Sequence, residues 1–233
     1  MLHDHVAGQA KFLRWSAPPN QLPLTPDCTV QDSQRILCAS RTHISVWDIH
    51  DEKWSAEIET ADSSAVANVD FTPTHDELIA FSEFNTQLTI FSLKSGEQRV
   101  IKSPKFAGLN GFGFRPATGQ LAVLLKNDAN DTLTLHETET YDVITAVTLP
   151  TADAQGLKWS PNGAWIAIWE SAAAGTKLAI YTADAQHYRT YAEPLNDSKL
   201  GVKVVEWSPD SLFLAIGKHD ATVDFINSTT VCL

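Results

Sequence analysis

One layout recurs five times along the chain, and its spacing restricts the fold more than any single residue does. In the clearest copy the run Val204-Val205-Glu206-Trp207 meets the turn Ser208-Pro209-Asp210-Ser211, and Leu212-Phe213-Leu214-Ala215-Ile216-Gly217 forms a second run. After the tight turn His219-Asp220-Ala221 comes a third run, Thr222-Val223-Asp224-Phe225-Ile226. Short runs rich in β-branched and aromatic residues, with a proline presetting φ at the second position of the turn, read as an antiparallel three-stranded meander. Such a sheet cannot bury both of its faces alone. Copies lie at Leu157-Lys158-Trp159-Ser160-Pro161-Asn162-Gly163, at Val69-Asp70-Phe71-Thr72-Pro73 and at Phe112-Gly113-Phe114-Arg115-Pro116; the most degraded begins at Phe12-Leu13-Arg14-Trp15-Ser16. The third runs align on Trp47, Phe91, Leu135, Tyr181 and Phe225, in steps of 44, 44, 46 and 44 residues.

A period near 44, with four short strands per unit and a Trp-Asp ending at Trp47-Asp48, is the pattern of WD-repeat propeller blades. The expected fold is all-β, a WD40-repeat β-propeller with about five blade units over residues 11–60, 66–102, 108–149, 154–192 and 202–233, which either close into a small propeller or form an incomplete part of a larger one. No glycine-histidine opening occurs and Trp47-Asp48 alone keeps the dipeptide, so the repeat is diverged. Polar alternating runs at 55–59, 98–101, 141–147 and 186–191 read as outer strands, whose water-facing edge favours charge. The last unit shows no clear outer strand. Pro18, Pro19, Pro23 and Pro26 mark residues 17–33 as an exposed, irregular insertion.

Charge narrows the partners. Against 17 Lys and Arg stand 28 Asp and Glu, a formal net charge of −11, which opposes binding to the phosphate backbone of a nucleic acid. No apolar run approaches the roughly 20 residues of a membrane span. Cys28, Cys38 and Cys232 are an odd set without CxxC spacing, which fits a reducing compartment better than a disulfide framework. Met1-Leu2-His3-Asp4-His5 carries no basic-then-apolar signal, so the three Asn-x-Ser/Thr sequons are read as unused.

Catalytic chemistry finds little footing. The chain holds no G-x-S-x-G elbow, Walker-type phosphate loop or H-E-x-x-H pair, and neither cofactor nor metal is expected. His3 and His5 supply too few fixed ligands for a metal. The acidic stretch Lys126-Asn127-Asp128-Ala129-Asn130-Asp131 lacks the glycine and distal glutamate of a calcium loop and reads as a hairpin tip. Gly108-Leu109-Asn110-Gly111-Phe112-Gly113 leads into a strand, so it reads as close backbone packing, not as a phosphate cradle. Asp220 reads as a residue that orders its turn. Trp15, Trp47, Trp159 and Trp207 read as repeat-equivalent blade core. Rim and edge positions Trp54, Phe84, Lys105, Trp165 and Trp169 are the candidate protein contacts, because exposed aromatic and long side chains anchor interfaces.

The wording of several segments goes beyond a generic propeller. Ser82-Glu83-Phe84-Asn85 through Leu88-Thr89-Ile90-Phe91-Ser92-Leu93, Ser103-Pro104-Lys105, Leu157-Lys158-Trp159-Ser160-Pro161-Asn162-Gly163, Ala167-Ile168-Trp169-Glu170 and Leu200-Gly201-Val202-Lys203-Val204-Val205-Glu206-Trp207-Ser208-Pro209 resemble the WD repeat-containing protein eight family, the WD-repeat proteins of centrosomes and spindle pole bodies. The resemblance runs from about Lys11 to Asn227 and rests on many modest matches. It implies a non-enzymatic adaptor in the cytoplasm and cytoskeleton, at the centrosome or spindle pole body. Its implied partners are a coiled-coil spindle-pole protein and a kinesin-14 motor, and the implied role is anchoring spindle microtubule minus ends through them. It also implies a longer protein with further blades. Two alternatives stand beside it: a WD-repeat adaptor of another complex, such as translation initiation or a ubiquitin ligase, and, more remotely, a propeller hydrolase. An acidic surface suits basic peptides better than acidic microtubules, so microtubule association is expected to be indirect.

Overall fold

The computed structural model describes residues 30–31, 35–40, 43–51, 53–59, 66–73, 76–82, 87–106, 108–127, 130–151, 153–193 and 201–228. They form five antiparallel sheets of the expected kind. The first holds β1 (Val30–Gln31), β2 (Arg35–Ala39), β3 (His43–Asp48) and β4 (Ser55–Glu59); the second β5 (Val66–Phe71), β6 (Glu77–Ser82), β7 (Gln87–Ser92) and β8 (Gln98–Lys102). The third holds β9 (Phe112–Phe114), β10 (Leu121–Lys126), β11 (Asp131–His136) and β12 (Val143–Thr148); the fourth β13 (Ala154–Trp159), β14 (Trp165–Glu170), β15 (Thr176–Thr182) and β16 (His187–Glu193). A fifth, of β17 (Val202–Trp207), β18 (Phe213–Lys218) and β19 (Val223–Asn227), has three strands among the described residues. Each strand pairs with its sequence neighbour, which is the meander that the turn spacing predicts. The chain divides into two compact units, residues 1–100 and 101–233; sheets one and two belong to the first, apart from the last two residues of β8, and sheets three to five to the second.

The Ser-Pro turns are built alike. In the fourth sheet Ser160 Oγ accepts the Trp165 N–H at 3.0 Å and donates to Asn162 Oδ1 at 2.7 Å, while Gly163 takes φ +66°. In the fifth, Ser208 Oγ accepts the Phe213 N–H at 2.9 Å and donates to Asp210 Oδ1 at 2.5 Å, with Ser211 at φ +62°. The Asp220 carboxylate accepts the N–H of Thr222 at 3.0 Å and its hydroxyl at 2.6 Å, so this aspartate does order its turn. The glycine-rich stretch forms a single 3-10 turn at Leu109–Gly111 and enters β9 directly.

Three expectations shift. Strand β1 falls inside the segment read as irregular, while the run at Phe12 to Ser16, Trp15 included, lies outside the described residues. Trp47 stands on a third strand, not on the first-strand position of Trp159 and Trp207. The third-strand alignment also moves by one residue twice. Trp47, Phe91, His136 and Tyr181 each precede the residue whose N–H closes the third-to-fourth turn, as Asp48, Ser92, Glu137 and Thr182 do. Ile226 pairs with Leu214 as Tyr181 pairs with Ile166. The equivalent residues are therefore His136 and Ile226 in place of Leu135 and Phe225. Corrected, the steps become 44, 45, 45 and 45 residues. The shift was hidden because β11 is buried along its whole length, so apolar alternation gave no phase.

Apolar faces of neighbouring sheets close on each other within each unit. Leu37, Ile44 and Val46 of the first sheet meet Val69, Phe71 and Leu78 of the second. Ala122, Leu124, Leu133 and Leu135 of the third meet Leu157, Trp159, Ile168 and Tyr181 of the fourth. Ala167, Trp169, Leu178 and Ile180 of the fourth then meet Val205, Trp207, Ile216 and Ile226 of the fifth. The first-strand tryptophans add a directed tie. Trp159 Nε1 donates to the Gly113 carbonyl at 3.0 Å and Trp207 Nε1 to the Lys158 carbonyl at 3.2 Å, each reaching the preceding sheet. Phe71 and Phe114 hold the same position without a donor.

Candidate interaction surfaces

An antiparallel meander carries its first and third turns at one end and its middle hairpin at the other, so each sheet has two rims. Trp165 opens β14 immediately after the Ser-Pro turn and lies on the first of these rims. Its ring stands 4.8 Å from that of exposed Tyr188 on β16, and the Arg189 guanidinium lies 5.7 Å from the Tyr188 ring. Trp165 also packs against the core beneath the fifth sheet, so one edge is held and the other faces solvent. A rigid aromatic pair beside a cation is the composition of an interface anchor.

The other predicted contacts are placed differently. Trp54 belongs to the first unit, half-buried under the Arg35 guanidinium at 4.6 Å. Phe84 lies outside the described residues. Trp169 sits at the far end of β14 from Trp165 and is 6% exposed. Its ring occupies the space that Gly156 leaves open, where a Cβ would fall 2.2 Å from Trp169 Cζ2. Lys105 is also interior: its Nζ, on a side chain 6% exposed, binds Asp131 Oδ2 at 2.6 Å and Asp153 Oδ1 at 2.9 Å. Asp131 Oδ2 further accepts the Ala154 N–H at 2.7 Å. The hydrogen bond from Lys105 holds the Asp153 carboxyl below the usual range, outweighing its partial burial. Burial thus assigns Lys105 and Trp169 to the sheet interior, and among the four that are described Trp165 is the one joined to an exposed aromatic partner.

One charged cluster had no signal in the sequence because Glu193 lies 25 residues from Lys218 in it. Lys218, buried, binds Glu193 Oε2 at 2.8 Å and also Asp224 Oδ2, and the Tyr191 hydroxyl donates to Asp224 at 2.9 Å. Burial works to lower the Lys218 pKa, but the two carboxylates together raise it. Burial and the Asp224 carboxylate push the Tyr191 phenol up. This network ties the fourth sheet's outer strand to the fifth. A groove of about 420 Å³ also runs along the first strands of the second unit, walled by Phe112, Phe114, Trp159 and Trp169 and bordered by the Lys158–Glu206 ion pair at 2.5 Å.

The repeated antiparallel sheets, their step of 44 or 45 residues and their Ser-Pro turns give the chain the WD40-repeat β-propeller class of fold. By sequence the chain is similar to the WD repeat-containing protein WRAP73 of Mus musculus, 30% identical over 224 residues that cover 95% of this chain and 44% of that protein. It is also similar to an uncharacterized WD repeat-containing protein of Schizosaccharomyces pombe, C32H8.09, 24% identical over 208 residues covering 88% of this chain and 42% of that one. The chain spans less than half the length of these curated relatives. No protein-family model matches it. Among solved structures it resembles the β-propeller domain of Myceliophteria thermophila Cps50 (Swd1), with a TM-score of 0.59 at 14% identity over 86% of this chain and 68% of that one. A chain of a mitotic checkpoint complex gives a TM-score of 0.59 at 18% identity over 94% and 72%. Hydrazine synthase of Kuenenia stuttgartiensis gives 0.58 at 15% identity over 84% and 62%. At these identities the likenesses establish the fold alone.

Proposed function

We propose that the chain is the propeller region of a non-enzymatic WD-repeat scaffold that works at a centrosome or spindle pole body. The observation that carries this reading is the match to WRAP73, which runs through 95% of the chain at 30% identity, together with the resemblance of its strand and turn wording to the centrosomal WD-repeat family. In this role the scaffold engages a coiled-coil spindle-pole protein and a kinesin-14 motor, and holds microtubule minus ends through them. The rim at Trp165, Tyr188 and Arg189 supplies the contact. Loops held on a rigid β scaffold suit docking of several partners at once.

Affinity purification with mass spectrometry from mitotic cells of the source organism tests it, using the chain and its Trp165→Ala/Tyr188→Ala variant as baits. Recovery of a coiled-coil pole protein and a kinesin-14 by the first, at least tenfold reduced with the second, is the expected result. Recovery of translation-initiation or ubiquitin-ligase subunits instead would move the scaffold to another complex, leaving its fold class unchanged.

A further inference from the structure

The rim where the fourth sheet meets the fifth departs from the equivalent rim one repeat earlier. Gln120 and Trp165 hold the same position, each carbonyl accepting the N–H of the residue that opens the first turn, Arg115 or Ser160. Ile144 and Tyr188 are both the residue skipped by the bulge between third and outer strands, and Thr145 and Arg189 follow them. Across each seam, Ala164 and Leu212 precede the residue that pairs with the turn serine or arginine of its own sheet. The third sheet thus carries Gln, Ile and Thr where the fourth carries Trp, Tyr and Arg, yet the same four-stranded sheet forms. Blade geometry therefore does not require the aromatic pair or the cation.

The departing side chains line one cleft. Trp165 continues the phase of Ala167 and Trp169, which pack toward the fifth sheet, and Arg189 is paired with Ile180 of that same face. Leu212 continues the phase of Leu214 and Ile216, which pack toward the fourth. The two lips are tied where the Asn162 N–H donates to Ser211 Oγ at 3.0 Å. Tyr188 is 38% and Leu212 50% exposed, so apolar surface remains open at the mouth. Arg189 is exposed, lies against the Tyr188 ring and has no ion pair among the described residues. On the fifth-sheet lip Asp210 is exposed, and hydrogen bonds from the Ser208 hydroxyl and the Leu212 N–H hold its carboxyl below the usual range, keeping it charged.

We propose that this cleft docks a segment of a partner protein in which an apolar side chain is flanked by a carboxylate on one side and a cation on the other. The apolar side chain enters between Trp165 and Leu212, the carboxylate meets Arg189 and the cation meets Asp210. Charges of opposite sign at the two lips fix the direction in which the segment lies. The net charge of −11 does not oppose this, because at physiological salt it is screened beyond about 8 Å and the local cation decides at contact. This docking rests on the rim contact proposed above, and is independent of which complex supplies the partner.

Selection of a random phage-displayed dodecapeptide library on the purified full chain tests it. The counter-selection uses the chain with Trp165→Gln, Tyr188→Ile, Arg189→Thr and Leu212→Ala, which are the residues of the preceding seam. Peptides that flank an apolar residue with one acid and one base should be enriched about tenfold on the native chain over the variant. In fluorescence anisotropy the most enriched peptide should bind Arg189→Glu about tenfold more weakly, and its acid-to-lysine form should recover binding to that variant, a rescue that a misfolded chain does not give. Equal enrichment on both chains, enriched peptides that lack a carboxylate, or binding unchanged by Arg189→Glu overturns the proposal. So does a discrete dimer of the chain dispersed by Trp165→Gln, which makes a second copy the occupant. Successful selection and rescue with no pole protein recovered from mitotic cells would overturn the pole reading and leave the cleft's chemistry standing.

Discussion

At the scale of single residues, His136 and Tyr181 occupy the same third-strand position, filled elsewhere by Trp47, Phe91 and Ile226, and both carry polar atoms into it. The His136 Nδ1–H donates to the Tyr141 carbonyl at 2.8 Å and Nε2 lies 3.0 Å from Thr134 Oγ1. Burial holds its pKa below that of an ordinary imidazole, against a smaller upward pull from the Tyr141 bond. The unfolded chain, with an ordinary imidazole, binds a proton first as pH falls below about 6.5. His136 therefore contributes stability in full above that pH and loses it progressively below. Melting at pH 7.5 and 5.5 will show a larger drop for the native chain than for His136→Phe; equal drops would assign the loss to other groups. Tyr181 gives the opposite sign: its buried hydroxyl has no hydrogen-bond partner among the described residues, and burial with the Glu170 charge nearby pushes its pKa to about 12. Tyr181→Phe, the residue that β7 already uses there, should raise stability by about 1 kcal/mol in urea denaturation, because it removes an unmet polar group without a change of shape. Lys105→Met should cost about 3 kcal/mol or more in the same measurement, since it strands Asp131 in the interior. An unchanged midpoint would return Lys105 to the surface role that its sequence context implied.

The elements are held by turns that reuse one geometry, and the small departures between copies show what each hydrogen bond adds. Gly163 and Ser211 occupy the same left-handed turn position, but Ser211 Oγ also accepts the Asn162 N–H at 3.0 Å and so links the fourth turn to the fifth. A non-glycine residue there costs about 1 kcal/mol, similar to what one hydrogen bond contributes. Ser211→Gly should therefore change stability by less than about 0.5 kcal/mol, whereas Ser211→Ala keeps the strain, loses the bond and costs about 1 kcal/mol or more. Chemical denaturation of the two variants separates the contributions. Sheet existence, strand order and turn type were legible in the sequence, since Ser-Pro-Asn-Gly and Ser-Pro-Asp-Ser set local dihedrals. Strand phase was not. Both faces of β11 and β15 are apolar or buried, so a one-residue slip from Leu135 to His136 leaves the pattern looking the same.

For the whole molecule, the excess of 28 acidic over 17 basic residues sets what the surface can attract. Purified chain should leave less than a tenth of itself in a microtubule pellet at physiological salt, rising only when a basic pole partner is added. Strong cosedimentation of the chain alone would contradict indirect attachment. Trp165 was legible as a rim position because it follows a turn, where a rim is guaranteed by topology. Trp169, four residues later on the same strand, looked alike in sequence and is interior because Gly156 on the paired strand makes room for its ring.

The sequence by itself determined the repeat, the all-β class and the turn chemistry, because each depends on residues within a few positions of one another. The acidic balance, and the partners it excludes, is likewise a property of composition. Tertiary structure alone decided which of two apolar faces meets a neighbour, that Lys105 pairs with buried Asp131 and half-exposed Asp153, that Lys218 draws in Glu193 and Asp224, and that Phe225 is left uncovered where Ile180 is not. The reason is physical: burial and ion pairing are properties of contacts between residues distant in the chain, and a period-two pattern apolar on both faces does not encode them.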